Sequence, residues 1–124
     1  MIHEIKTIYP SHLYVAYILT EEEYNSVFND GKYNEIKDLH ESGNDGLTIN
    51  GKDKYGTHSI IISLAEDFET GTIIHECYHA SNIIWDYIEA KHDTNNDEPF
   101  AYLLTYIHKE ILEFINKIKD GNKN

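Results

Sequence analysis

Apolar residues recur every three or four positions through the second half of the chain, as is typical of amphipathic helices. In residues 70–90 this stripe comprises Ile73, Ile74, Cys77, Ala80, Ile84 and Ile88. In residues 97–119 it comprises Phe100, Leu103, Leu104, Ile107, Ile111, Phe114, Ile115 and Ile118. Pro99 suits a first helical turn, and Asn96 or Asp97 can cap it. The pattern predicts two long helices with a polar connection between them.

The first half alternates between strand and helix signals. Aromatic and β-branched residues predict a strand at residues 12–19, and Thr20 with Glu23 forms a capping box for a short helix. Residues 33–41 favour a further helical turn or two. Residues 47–50 and 57–65, separated by turn residues, predict an antiparallel hairpin whose sheet the first strand joins.

Together these elements predict a single α+β domain, a small and mostly antiparallel sheet packed on two long helices. Its parts are residues 1–66 (mainly strands with short helices), 70–90, 97–119 and a polar tail at 120–124.

The composition limits which partners and which cellular compartment are expected. The net charge of −12 disfavours nucleic acid and anionic membranes as partners. The start of the chain lacks the apolar core of a secretory signal, no apolar run is long enough to span a membrane, and one cysteine excludes an internal disulfide. We therefore expect a cytoplasmic protein in which Cys77 is a buried apolar residue.

The first long helix carries the sequence His75-Glu76-Cys77-Tyr78-His79, an HExxH motif. Two histidines four residues apart lie roughly 40° apart around a helix, so both imidazoles can reach one zinc ion. Glu76 is offset from His75 by about 100°, where it can take a proton from metal-bound water. The alternative is an acidic helix with two solvated histidines.

A catalytic zinc usually takes three protein ligands and leaves one position for water. Glu98, in the first turn of the second long helix, is the candidate for the third ligand; alternatively its carboxylate favours a helix N-terminus through the macrodipole. Tyr102, four residues later on the same face, could hydrogen-bond the site or a developing oxyanion, or could pack its ring between helices.

Eighteen residues separate His79 from Glu98, and the resulting HExxH-x18-E pattern resembles the gluzincin class of zinc metallopeptidases. The flanking residues 71–76 and 97–102 are also similar to small phage-encoded zincin-like proteins of unassigned role. The resemblance implies a minimal zincin core in which His75, His79 and Glu98 bind zinc, Glu76 is the general base, and a peptide or protein is the substrate.

Three functions remain open at this point. The first is a zinc-dependent peptidase, whose shallow cleft a partner protein or a second copy could complete. The second is an accessory protein of the phage type, in which the zinc site is structural or vestigial and the acidic surface binds another protein. The third is a metal hydrolase that acts on a non-peptide amide or ester.

Overall fold

A computed structural model describes residues 1–121 of the protein. They form a small α+β fold in which two long helices follow the strands. The elements in chain order are β1 (Ile2–Ile5), β2 (His12–Tyr17), α1 (Glu21–Val27), α2 (Tyr33–Glu41), β3 (Gly46–Lys52), β4 (His58–Leu64), α3 (Thr70–Tyr87) and α4 (Glu98–Gly121).

The four strands form one mixed sheet in the order β1-β2-β4-β3. β1 pairs with β2 and β3 pairs with β4 in antiparallel fashion, whereas β2 and β4 are parallel. The sheet is therefore mostly antiparallel, as predicted. β3 lies at one edge, next to the helix that carries the HExxH motif.

Both faces of the sheet are covered, so β4 is buried almost throughout, from Ser59 to Leu64. On one face, α3 and α4 pack against the sheet and form the larger core cluster, which includes Ile62, Ile84 and Ile107. On the other face, Tyr24 of α1 and Ile36 of α2 belong to a smaller cluster. The two long helices therefore lie side by side on one face, as the hydrophobic stripes predicted.

Most predicted elements are present with shifted ends. The capping box forms, with Thr20 accepting from the Glu23 amide and Glu23 accepting from the Thr20 amide. The hairpin strands β3 and β4 are confirmed. The sequence did not predict β1, whose four residues alternate only weakly in polarity and are held by pairing with β2.

The ends of the long helices differ from the prediction. α3 stops at Tyr87 rather than at residue 90, and Glu89 follows with a left-handed φ of 61° that ends the helix. α4 continues through Gly121, so residues 120 and 121 are helical rather than part of a tail. Residues 122–124 of that predicted tail lie outside the described residues. Across residues 1–121, no helix combines the length and apolar character that crossing a membrane requires.

Candidate metal centre

A side chain from outside the helix caps the N-terminus of α3. Its N-cap residue, Glu69, makes no side-chain capping bond. Instead one carboxylate oxygen of Asp45 accepts from the Glu69 amide at 2.8 Å and from the Thr72 hydroxyl at 2.7 Å. Asp45 directly precedes β3, so these hydrogen bonds hold the start of α3 against the start of the edge strand.

The side chains of His75, Glu76 and His79 come together on α3. Their potential ligand atoms all lie within 4.8 Å of one another. The Nε2 atoms of the two imidazoles are 3.0 Å apart, and both rings are exposed. Two nitrogens on a tetrahedral zinc ion would be separated by about 3.3 Å, since Zn–N bonds are about 2.0–2.1 Å. The histidine pair therefore fits a zinc ion with little adjustment.

Glu76 differs from the two histidines in being almost completely buried, with 4% of its surface exposed. Burial raises the pKa of its carboxyl above the usual range, opposed by the charges of His75 and His79 and by a hydrogen bond from Thr48. Asp45 adds a smaller contribution that raises the pKa. A general base needs a pKa shifted towards neutrality, and burial moves Glu76 in that direction.

The edge strand β3 approaches Glu76 closely. The Thr48 hydroxyl donates long hydrogen bonds to the Glu76 carboxylate at 3.5 Å and to its backbone carbonyl at 3.4 Å. Gly46 leaves no room for a side chain, because a Cβ there would lie 2.3 Å from Cγ2 of Thr72 and 3.0 Å from Cγ of Glu76. Close packing between β3 and α3 thus holds the buried carboxylate in place.

Within residues 1–121, the outer edge of β3 presents backbone groups without a strand partner beside this cluster. Ala65 donates to Asp45, and Asp53 donates to Thr57, so the odd-numbered residues of β3 bond towards β4. The even-numbered residues, including Gly46, Thr48 and Asn50, therefore direct their N–H and C=O groups outwards. This edge could accept an extended peptide as an additional strand.

The structure does not bring Glu98 into the cluster. Among residues 1–121, the group of mutually close ligand atoms comprises His75, Glu76 and His79, without Glu98. Glu98 is the first residue of α4 and is exposed. Phe100, about 200° further around the helix, packs on Tyr78 and Trp85 of α3, so Glu98 lies on the other side of α4 from that contact.

Tyr102 is also separate from the cluster. It is 71% exposed and lines a groove with Lys6, Tyr9 and Tyr106. Cys77 is fully buried in the larger core, as the sequence predicted, and burial raises the pKa of its thiol to about 12.

Sequence reasoning missed three residues that shape the site, namely Asp45, Gly46 and Thr48. Thr48 and Glu76 are 28 positions apart, and Asp45 and Thr72 are 27 apart. No local pattern predicts contacts at such separations. The signal in the sequence is the predicted strand at residues 47–50, which contains Thr48 and directly follows Asp45 and Gly46. Only the structure shows that this strand lies at the edge of the sheet.

Comparison of the chain with protein-family models, with curated proteins and with solved structures found no match in any of the three. The case for a function therefore depends on the geometry of the chain itself.

Proposed function

We propose that this protein is a zinc-dependent metallopeptidase in which His75 and His79 bind the metal and Glu76 is the general base. One observation carries the proposal: two exposed imidazoles with Nε2 atoms 3.0 Å apart flank a buried carboxylate, and all three offer ligand atoms within 4.8 Å. A solvated pair of histidines on an acidic helix would not need a buried carboxylate between them.

The chemistry divides between the metal and the chain. A bound zinc ion would supply a Lewis acid for the scissile carbonyl and lower the pKa of water. Glu76 takes the proton of the attacking water and returns it to the leaving amine. Its burial, which raises its pKa, favours holding that proton between the two steps. Thr48 orients the Glu76 carboxylate through its hydroxyl.

The edge of β3 is the proposed docking strand for the substrate. The outward N–H and C=O groups of Gly46, Thr48 and Asn50 would pair with the main chain of an extended peptide. Because Thr48 also contacts Glu76, a peptide paired there would carry its backbone past the proposed base. Peptide bonds are therefore favoured over small esters or amides, which could not use this edge.

Glu98 is the proposed third ligand, on the strength of its spacing from the histidines. Residues 91–99 are all exposed, but His92 bonds to Asn82 and packs on Phe100, so Glu98 reaches the histidines only if the first turn of α4 moves and these contacts break. Glu98→Gln should then weaken zinc binding measurably by competition with a chromophoric chelator. Glu113→Gln, an exposed change on the same helix, is the matched control and should leave the affinity unchanged.

The position of Glu98 also favours a second candidate function, an acidic protein-binding module with a structural or vestigial metal site. With two histidines and no third ligand, the site would bind zinc weakly and would not sustain turnover. A structural zinc would instead be closed, and chelation would unfold the protein. The midpoint of thermal unfolding, measured with and without a chelator, separates a structural zinc from a catalytic zinc and from a vestigial site.

The decisive experiment compares Glu76→Gln with His79→Ala. Glu76→Gln should retain one zinc per chain by elemental analysis and lose hydrolysis of an unbiased peptide mixture read by mass spectrometry. His79→Ala should lose the zinc. Turnover retained in Glu76→Gln would remove this residue from the mechanism, and a wild-type protein without zinc-dependent cleavage would refute the peptidase proposal.

A further inference from the structure

A second feature of the boundary between β3 and α3 is a cavity of about 550 Å³ beyond the histidine pair. It is lined by Asn50, His58, Asn82, Ile83, Asp86 and Tyr87, and we name it the Asp86 cavity. Asn82 and Asp86 lie on the same exposed face of α3 as His75 and His79, one and two turns further along. The cavity thus continues the proposed substrate path.

The Asp86 cavity carries one uncompensated negative charge. The Asp86 carboxylate is exposed and makes no hydrogen bond or ion pair within residues 1–121. Burial lowers the pKa of His58, which favours the neutral form of this ring. Lys52, two residues after Asn50 on β3, does not line the cavity and forms no ion pair with Asp86.

An aromatic surface lies beside this charge. Tyr87 stacks on His58 with ring centroids 4.3 Å apart and an angle of 13° between the planes. Tyr87 remains 51% exposed, so part of its ring is open to the solvent. A cation close to a tyrosine ring is stabilised by the ring quadrupole, and a neighbouring carboxylate adds to that attraction.

Two amide oxygens complete the polar lining. Asn50 Oδ1 lies 3.3 Å from Nε2 of His58, and Asn82 Oδ1 lies 2.6 Å from Nε2 of His92. Each imidazole must donate in these pairs, since an amide oxygen only accepts. Every amide oxygen has a second lone pair, so both can also accept from an ammonium or guanidinium group.

We propose that the Asp86 cavity binds a lysine or arginine side chain of the substrate. The inference rests on the proposed function and adds a substrate class to it. The net charge of −12 acts in the same direction, because it attracts basic peptides to the protein.

The position of the basic residue follows from the strand geometry. β3 and α3 run in the same direction, since Gly46 adjoins Thr72 and Asn50 shares the cavity with Asp86. Antiparallel pairing is the more stable ladder, so a peptide bound to β3 is expected in that orientation and places its N-terminal part at the Asp86 cavity. Asn82 and Asp86 lie about 8 and 14 Å along the helix from the histidine pair, which corresponds to roughly two to four extended residues. The basic residue thus precedes the scissile bond by that number of positions.

Binding can be measured without any turnover. Side-chain amide signals of Asn50 and Asn82 are followed by NMR while Nα-acetyl-lysine methylamide or its norleucine analogue is added to the full chain. The wild type should bind the lysine compound at least about threefold more tightly, as expected for a partly exposed charge and ring contact. Asp86→Asn should reduce the preference to near unity. Asp38→Asn makes the same charge change on α2, away from the cavity, and should retain it.

A second arm uses cleavage of peptide mixtures in which one fixed position holds lysine, norleucine or glutamate. Cleavage should favour lysine two to four positions before the scissile bond, and Asp86→Asn should remove that preference. Zinc-dependent cleavage with the same preference in Asp86→Asn would overturn this inference and leave the proposed function standing. If no peptide is cleaved, the NMR arm decides the inference by itself: equal binding of the two compounds by the wild type overturns it.

Discussion

Replacement of Gly46 by alanine tests the close contact between β3 and α3 on which the site depends. The added Cβ would lie 2.3 Å from Cγ2 of Thr72, whereas carbon atoms in contact are about 3.5–4.0 Å apart. Thr72 cannot turn away freely, because its χ1 is restricted and its hydroxyl is bonded to Asp45 at 2.7 Å. We expect Gly46→Ala to lower the free energy of unfolding by about 1–3 kcal/mol, the usual cost of overpacking.

Gly51 on the same strand provides the matched control. A Cβ at Gly51 would meet nothing within 4 Å, and neither glycine has a positive φ. Gly51→Ala should therefore change the free energy of unfolding by no more than about 0.5 kcal/mol, or raise it slightly by restricting the unfolded chain. Equilibrium urea unfolding of both variants measures the difference.

A compensating change identifies the clash itself. Thr72→Ser removes Cγ2 and keeps the hydroxyl that donates to Asp45, so it should partly rescue Gly46→Ala. The double-mutant cycle should then show a favourable coupling of at least about 0.5 kcal/mol. Gly46→Ala and Gly51→Ala variants of equal stability would refute the reasoning that β3 and Glu76 are in close contact.

Three further predictions concern the helix cap, the core and the cysteine. Hydrogen bonding lowers the pKa of Asp45, so its stabilising effect is present above its unfolded pKa and is lost as the pH falls through its folded pKa. Asp45→Asn keeps an acceptor oxygen and removes the charge, so it should cost about 0.3–1 kcal/mol at pH 7 in urea unfolding and clearly less near pH 3. A difference that stays constant with pH would contradict the ionised cap. Ile107 is fully buried, so Ile107→Ala should lower the free energy of unfolding by about 2–5 kcal/mol. Ile8 is 94% exposed, so Ile8→Ala should change it by no more than about 0.5 kcal/mol. Similar thermal midpoints for the two variants would contradict the assigned core. Cys77 is fully buried, and burial raises the pKa of its thiol to about 12, so iodoacetamide should modify it in urea but not in buffer. Rapid labelling of the native protein, detected by mass spectrometry, would contradict its burial.

The sequence by itself determined the parts of this protein that depend on local periodicity. A helical stripe places apolar residues on one face, so α3 and α4 and most of their buried positions followed from spacing alone. His75, Glu76 and His79 lie within five residues on one helix, so their meeting required no long-range information. The capping box at Thr20 was equally local.

The tertiary structure decided everything that joins distant segments. It placed β3 at the edge of the sheet, set Asp45 on the N-terminus of α3, and brought Thr48 against the buried Glu76. It also left Glu98 outside the cluster, although the spacing of the motif had predicted a ligand. The physical reason is the same in each case: helix spacing fixes positions within one turn or two, whereas contacts between elements depend on how whole faces pack.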